Sequence, residues 1–78
     1  MKNTVITFIQ ARNGGAIRIG IVAARQADEL LATLQHGNPN ELKIIHSMPG
    51  TREDLDVIYK RLKEHQLRAE WFAPEVLG

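Results

Sequence analysis

An arginine stands at the centre of the apolar run GGAIRIGIV, residues 14 to 22, between Ile17 and Ile19. A guanidinium on a strand either stays solvated or is aimed at a ligand. Arg18 is one of four cations, with Lys2, Arg12 and Arg25, that precede the first acidic residue, Asp28, so the leading third of the chain carries +4. The remainder nearly cancels it and the net charge is +1. A second basic group, Lys60, Arg61, Lys63 and Arg68, is diluted by Glu64 and Glu70. Solvated charge and a phosphate-binding face account for this distribution equally well.

Other chemistry finds less support. His36, His46 and His65 fall in three different elements, with no i, i+4 pair and no cysteine to complete a metal site. Ser47 and Thr51 have no matching histidine–acid pattern for nucleophilic catalysis. The NGG of residues 13 to 15 is turn chemistry and not a phosphate cradle, because no helix follows it directly. Trp71 has the ring to stack on a base, but a tryptophan in a chain with 5% aromatic residues is more often part of the core.

These residues must be positioned by a small frame. Seventy-eight residues make one domain, 1–78, and a chain this short buries only about 60% of its unfolded surface. With no cysteine, neither disulfides nor thiolate-held metal reinforce the core. No run approaches the roughly 20 apolar residues of a membrane span. The start MKNTVITF reads as no signal peptide, and the cytoplasm is the expected compartment.

TVITFIQA is rich in β-branched residues and reads as a strand, RNGG (12–15) as a turn, and AIRIGIV as a second strand. Its alternation puts Ile17, Ile19 and Ile21 on one face and Arg18, Gly20 and Val22 on the other. From Arg25 the period becomes helical, with Ala27, Leu30, Leu31 and Leu34 on one stripe, until HGNPN (36–40) stops it. ELKIIHSM (41–48) is a third strand and PG (49–50) a turn. Thr51 and Asp54 have the spacing of an N-terminal cap for a second helix with Leu55, Ile58, Tyr59 and Leu62 on its apolar stripe. RAEWFAPEVLG closes the chain, with Trp71 and Phe72 expected to pin this tail to the core. The expected fold is α+β: a three-stranded antiparallel sheet flanked by helices, in the order β-β-α-β-α, with a short tail or helix after it.

In that order, ITFIQARNGGAIRIGI, a helix ending in LQHGNP, a strand, and a helix running into LRAEWF together resemble the GIY-YIG nuclease superfamily. The nearest branch is its short, mostly phage and bacterial one, whose members read V-Y-F-I-Q, I-K-I-G, R-L-x-x-L-Q-x-G-N-P, E-x-x-L-H-x-x-F and G-E-W-F. The match runs over residues 4 to 72. The resemblance implies a small α/β domain whose first hairpin and first helix wall an active site. Phosphodiester hydrolysis there needs an activated water, a carboxylate-held divalent cation, and a cation facing the phosphorus. Carried across, the first-strand tyrosine falls on Thr7 and the second-strand position on Arg18, which keeps the cation. The helix arginine falls on Leu30, with Arg25 the nearest substitute. Tyr59 replaces the family histidine, and the metal-binding glutamate falls on Leu55.

Leu55 completes an apolar stripe, and burying such a side chain contributes roughly 1.5–3 kcal/mol, so a metal ligand is read as exchanged for packing. The sequence reading is therefore a catalytically degenerate domain, phage or mobile-element encoded, with no catalytic residue, no metal ligand and no cofactor. It binds nucleic acid through Arg12, Arg18, Arg25, Lys60 and Arg68. One alternative is a protein-binding module, such as a small phage inhibitor of a host defence complex. Another is an active endonuclease using Mg²⁺ or Mn²⁺ with Arg18, Arg25 and Asp56. No membrane partner is expected, and an exposed sheet edge makes a homodimer one expected assembly.

Overall fold

The alternation in the first hairpin sets the frame of the molecule. A computed structural model describes residues 3–12 and 14–77. Met1, Lys2, Gly78 and Asn13 of the expected turn lie outside the described residues. Strand β1 (Thr4–Ala11) pairs antiparallel with β2 (Ile17–Ala23), setting Ile6 opposite Ile21, Phe8 opposite Ile19 and Ile9 opposite Arg18. Directly opposed residues share a face. One face therefore holds Ile6, Phe8, Ile17, Ile19 and Ile21, and the other holds Thr7, Ile9, Arg18 and Gly20. Strand β3 (Leu42–Pro49) joins the other side of β1, with a register shift between Phe8 and Ile9.

Helix α1 (Ala27–His36) follows a 3-10 turn at Ala24–Gln26. Asp28 and Glu29 in its first turn complement the positive end of the helix dipole. At its far end Gln35 staples the loop to β3: its Oε1 accepts from Leu42 N at 2.6 Å, and its Nε2 donates to Asn40 O at 2.8 Å. Helix α2 (Arg52–Arg61) opens on a full capping box. Asp54 N donates to Thr51 Oγ1 at 3.3 Å, and Thr51 N donates to Asp54 Oδ2 at 2.8 Å. Asp54 is thereby committed to the helix start.

Helix α2 packs on the isoleucine face. Ile6, Ile17, Ile19, Leu55 and Phe72 form the buried cluster there, with Ile58, Tyr59 and Leu62 of the same helix region against it. Thr7, Ile9 and Leu42 are also buried, but on the opposite face. Helix α1, which packs against β3 and β2, supplies that cover.

The three-stranded expectation is corrected at the tail. After a 3-10 turn at Lys63–His65, residues Gln66–Arg68 form β4 and Trp71–Phe72 form β5, and a last 3-10 turn spans Pro74–Leu77. The sheet has five antiparallel strands in the order β3-β1-β2-β5-β4. Strands of two and three residues are too short to show alternation, and they exist because Phe72 pairs with Ile17 across the sheet. Phe72 is fully buried and ties the tail to the core, whereas Trp71 is only half-buried. No helix among the described residues is long and apolar enough to cross a membrane.

Candidate functional site

Strand β5 covers little of β2. It pairs only with Ile17 and Arg18, and one further bond runs from Ile19 N to Glu70 O at 2.9 Å. Beyond that point the edge of β2 opens into a notch between the β4–β5 turn and α2. Its volume is about 310 Å³, and Arg18, Gly20, Arg52, Tyr59 and Glu70 are among its walls.

Arg18 lies along the sheet face and over Gly20. A Cβ at position 20 would stand 2.8 Å from Arg18 Nη1, so the glycine is what lets the guanidinium lie flat. The side chain is 15% exposed, and its Nη2 meets Glu70 Oε2 at 2.8 Å. Nη1 is buried with no hydrogen-bond partner. An unsatisfied buried donor of this kind is uncommon, because its lost hydration is not returned.

The turn that delivers Glu70 has only two residues, Ala69 and Glu70, between the paired Arg68 and Trp71. Ala69 has φ of 47°, a left-handed conformation that a side chain disfavours. The amide of Gln66 donates to Ala69 O at 2.6 Å and holds the turn.

Tyr59 closes the notch from α2. Its hydroxyl donates to Ile19 O on the open edge of β2, and its ring lies 5.2 Å from that of Phe72. Burial pushes the phenol pKa above 10.0, Glu70 adds to the rise, and Arg18 and Arg52 oppose it. The phenol therefore remains a protonated donor at neutral pH. Arg52 is exposed and stands 3.9 Å from Asp56, the loosest of the ion pairs among the described residues. Two guanidinium groups thus border an open space, with one carboxylate already on Arg18 and the Tyr59 hydroxyl already on Ile19 O. Free guanidinium N–H groups are donors suited to an oxyanion.

The five basic residues singled out from sequence do not form one patch. Arg12 sits at the turn end of the long hairpin, paired to Glu41 at 3.5 Å. Arg25 lies past the other end of β2, roughly 23 Å away at about 3.3 Å per strand residue. Lys60 is exposed on α2. Only Arg18 and Arg68 are brought into one arrangement, on either side of Trp71. Arg52, Tyr59 and Glu70 were not singled out as site residues. A notch whose members are 18, 52, 59 and 70 leaves no local spacing to read.

A divalent ion of the kind the resemblance implies does not fit these residues. Leu55, at the position of the expected carboxylate, is 3% exposed and sits in the core cluster. Asp54 is used by the cap, and Asp56 faces Arg52. Among the described residues no three histidine, aspartate or glutamate side chains gather as a metal site. No family model matches the chain, and neither a curated protein nor a solved structure matches it.

Proposed function

We propose that this chain is a nucleic-acid-binding domain that holds the phosphate backbone at the β2–α2 notch and leaves the phosphodiester intact. The observation that carries the reading is Arg18, which lines an open cavity together with Arg52 and Tyr59 and whose buried Nη1 has no hydrogen-bond partner. A phosphate oxygen supplies the missing acceptor. Glu70 holds the other arm of the guanidinium and so keeps it oriented when no ligand is bound. The motif order shared with GIY-YIG nucleases supports the same ligand class, and Leu55 in the core supports binding over cleavage.

The test is a salt titration with labelled DNA and RNA strands. Log affinity should fall linearly with log salt, by about 0.7 per phosphate neutralised on a single strand. Arg52→Ala, an exposed change, should lower that slope by roughly one phosphate's worth. Glu70→Gln removes the competing charge and should tighten binding severalfold. Affinity that does not change over about 50 to 200 mM salt would sink the proposal.

A second reading is favoured by one observation. Strand β3 is an edge of eight residues, with Ile45 37% exposed on it. An uncovered edge is a template for strand addition by a protein partner or a second copy. Size measurement over a concentration series separates this from the nucleic-acid reading.

A further inference from the structure

We infer that Trp71 is a base-stacking platform, so that the nucleic acid held here is single-stranded. The inference rests on the phosphate-binding reading above and adds a base contact at Trp71, which pairs with Arg18 and lies outside the walls of the notch. Register is its basis. Arg18 is opposite Trp71 on one side, and Arg68 is opposite Trp71 on the other. The bulge between Gln66 and Arg68 shifts β4 by one residue, which brings Arg68 to the face of Trp71 while Gln66 stays opposite Phe72. The result is a row across three strands, arginine, tryptophan, arginine, with the two cations' backbones about 10 Å apart.

The buried cluster under helix α2 does not include this tryptophan. Phe72 is fully buried and already fastens the tail. Trp71 belongs neither to the buried cluster nor to the partly buried residues packed against it, and it stays partly exposed on the opposite face. Arg68 is exposed, and among the described residues it has no carboxylate within ion-pair distance. Arg18 contributes the unpartnered Nη1. An indole with an arginine as its strand neighbour on each side matches a base with a phosphate on each side. Every base has a π-face, so the platform is tolerant of sequence. It needs a base whose face is free, which a continuous duplex does not offer.

Trp71 is the chain's single tryptophan, so its emission reports this site alone. The experiment titrates the full chain with short oligo(dT), with an abasic strand of equal length and charge, and with a blunt duplex, following tryptophan emission and the anisotropy of labelled strands. Oligo(dT) should quench the emission and bind about five- to 150-fold more tightly than the abasic strand, the range seen when a stacking aromatic is removed. The duplex should leave the emission unchanged. Trp71→Leu should abolish the preference for bases while abasic binding persists. Equal affinity for oligo(dT) and the abasic strand, without quenching, would overturn the platform and leave the phosphate reading standing. Equal quenching by the duplex would overturn the single-strand assignment. Failure of every strand to bind would overturn both readings.

Discussion

The two hairpins of this molecule are built on opposite terms. The β1–β2 hairpin is long and regular, and every isoleucine of β2 faces a hydrophobic or amide partner on β1. The β4–β5 hairpin has two pairs, a bulge and a turn with Ala69 in the left-handed region. The first could be drawn from alternation alone. The second has too few residues to hold itself together and exists only as docked against β2. Yet the second delivers Glu70, Trp71 and Arg68 to Arg18. The regular hairpin is the scaffold, and the irregular one supplies the chemistry. Strain is tolerated where the surrounding packing over-determines it, and Phe72 buried next to the turn provides that packing.

Three substitutions test how far this asymmetry goes. Phe72→Ala should have the largest effect, about 3–5 kcal/mol of stability, because a fully buried aromatic leaves a cavity. Chemical denaturation would read the loss. If the short hairpin is only docked, the variant's β1–β2 amides should exchange hydrogen more slowly than its β4–β5 amides.

Tyr59→Phe removes the hydrogen bond to Ile19 O and should cost about 1 kcal/mol at neutral pH. It also sharpens the comparison through pH. The folded chain holds the phenol's proton above the ordinary value of 10.0, so the unfolded chain ionises first. The stability from this group is complete below that value and is lost as pH rises beyond it. Melts from neutral to strongly alkaline pH should show a steeper alkaline loss for the native chain than for Tyr59→Phe, the difference isolating this group from the lysines.

Ala69→Gly should have the smallest effect and the opposite sign. Relief of the left-handed alanine outweighs the added freedom of glycine by about 0.5 kcal/mol, read as a slightly raised denaturation midpoint. A destabilised variant would show that the turn is not strained, and the contrast between the hairpins would weaken.

Much of the frame was legible without coordinates. Thr51 and Asp54 at capping-box spacing, the glycine after His36, and the isoleucine alternation are local signals, and each element they mark is present. Trp71 and Phe72 were both expected to pin the tail, but only Phe72 is fully buried, and the two strands of the tail were not legible. The site was less legible still. Arg18 stood out because a charge interrupts an apolar run, but the sequence offered phosphate as its target and gave no sign that Glu70 already occupies one arm. Arg12 and Arg25 looked like companions of Arg18 because all three precede the first acidic residue, whereas strand β2 between them keeps them at opposite ends.

What the sequence determined by itself is whatever depends on neighbours within about one helix turn or one strand: caps, periods, turns, and which face each side chain takes. Only the tertiary structure decided that residues 66 to 72 complete the sheet, that Gly20 makes room for the Arg18 guanidinium, and that Tyr59 and Glu70 meet at one notch. Strand pairing between distant segments is set by a global fit of buried side chains, and no single segment carries that information. Leucine at position 55 illustrates the division. Its place on an apolar stripe could be read from spacing, but that the stripe fills the ground between Ile19 and Phe72 is a property of the folded chain.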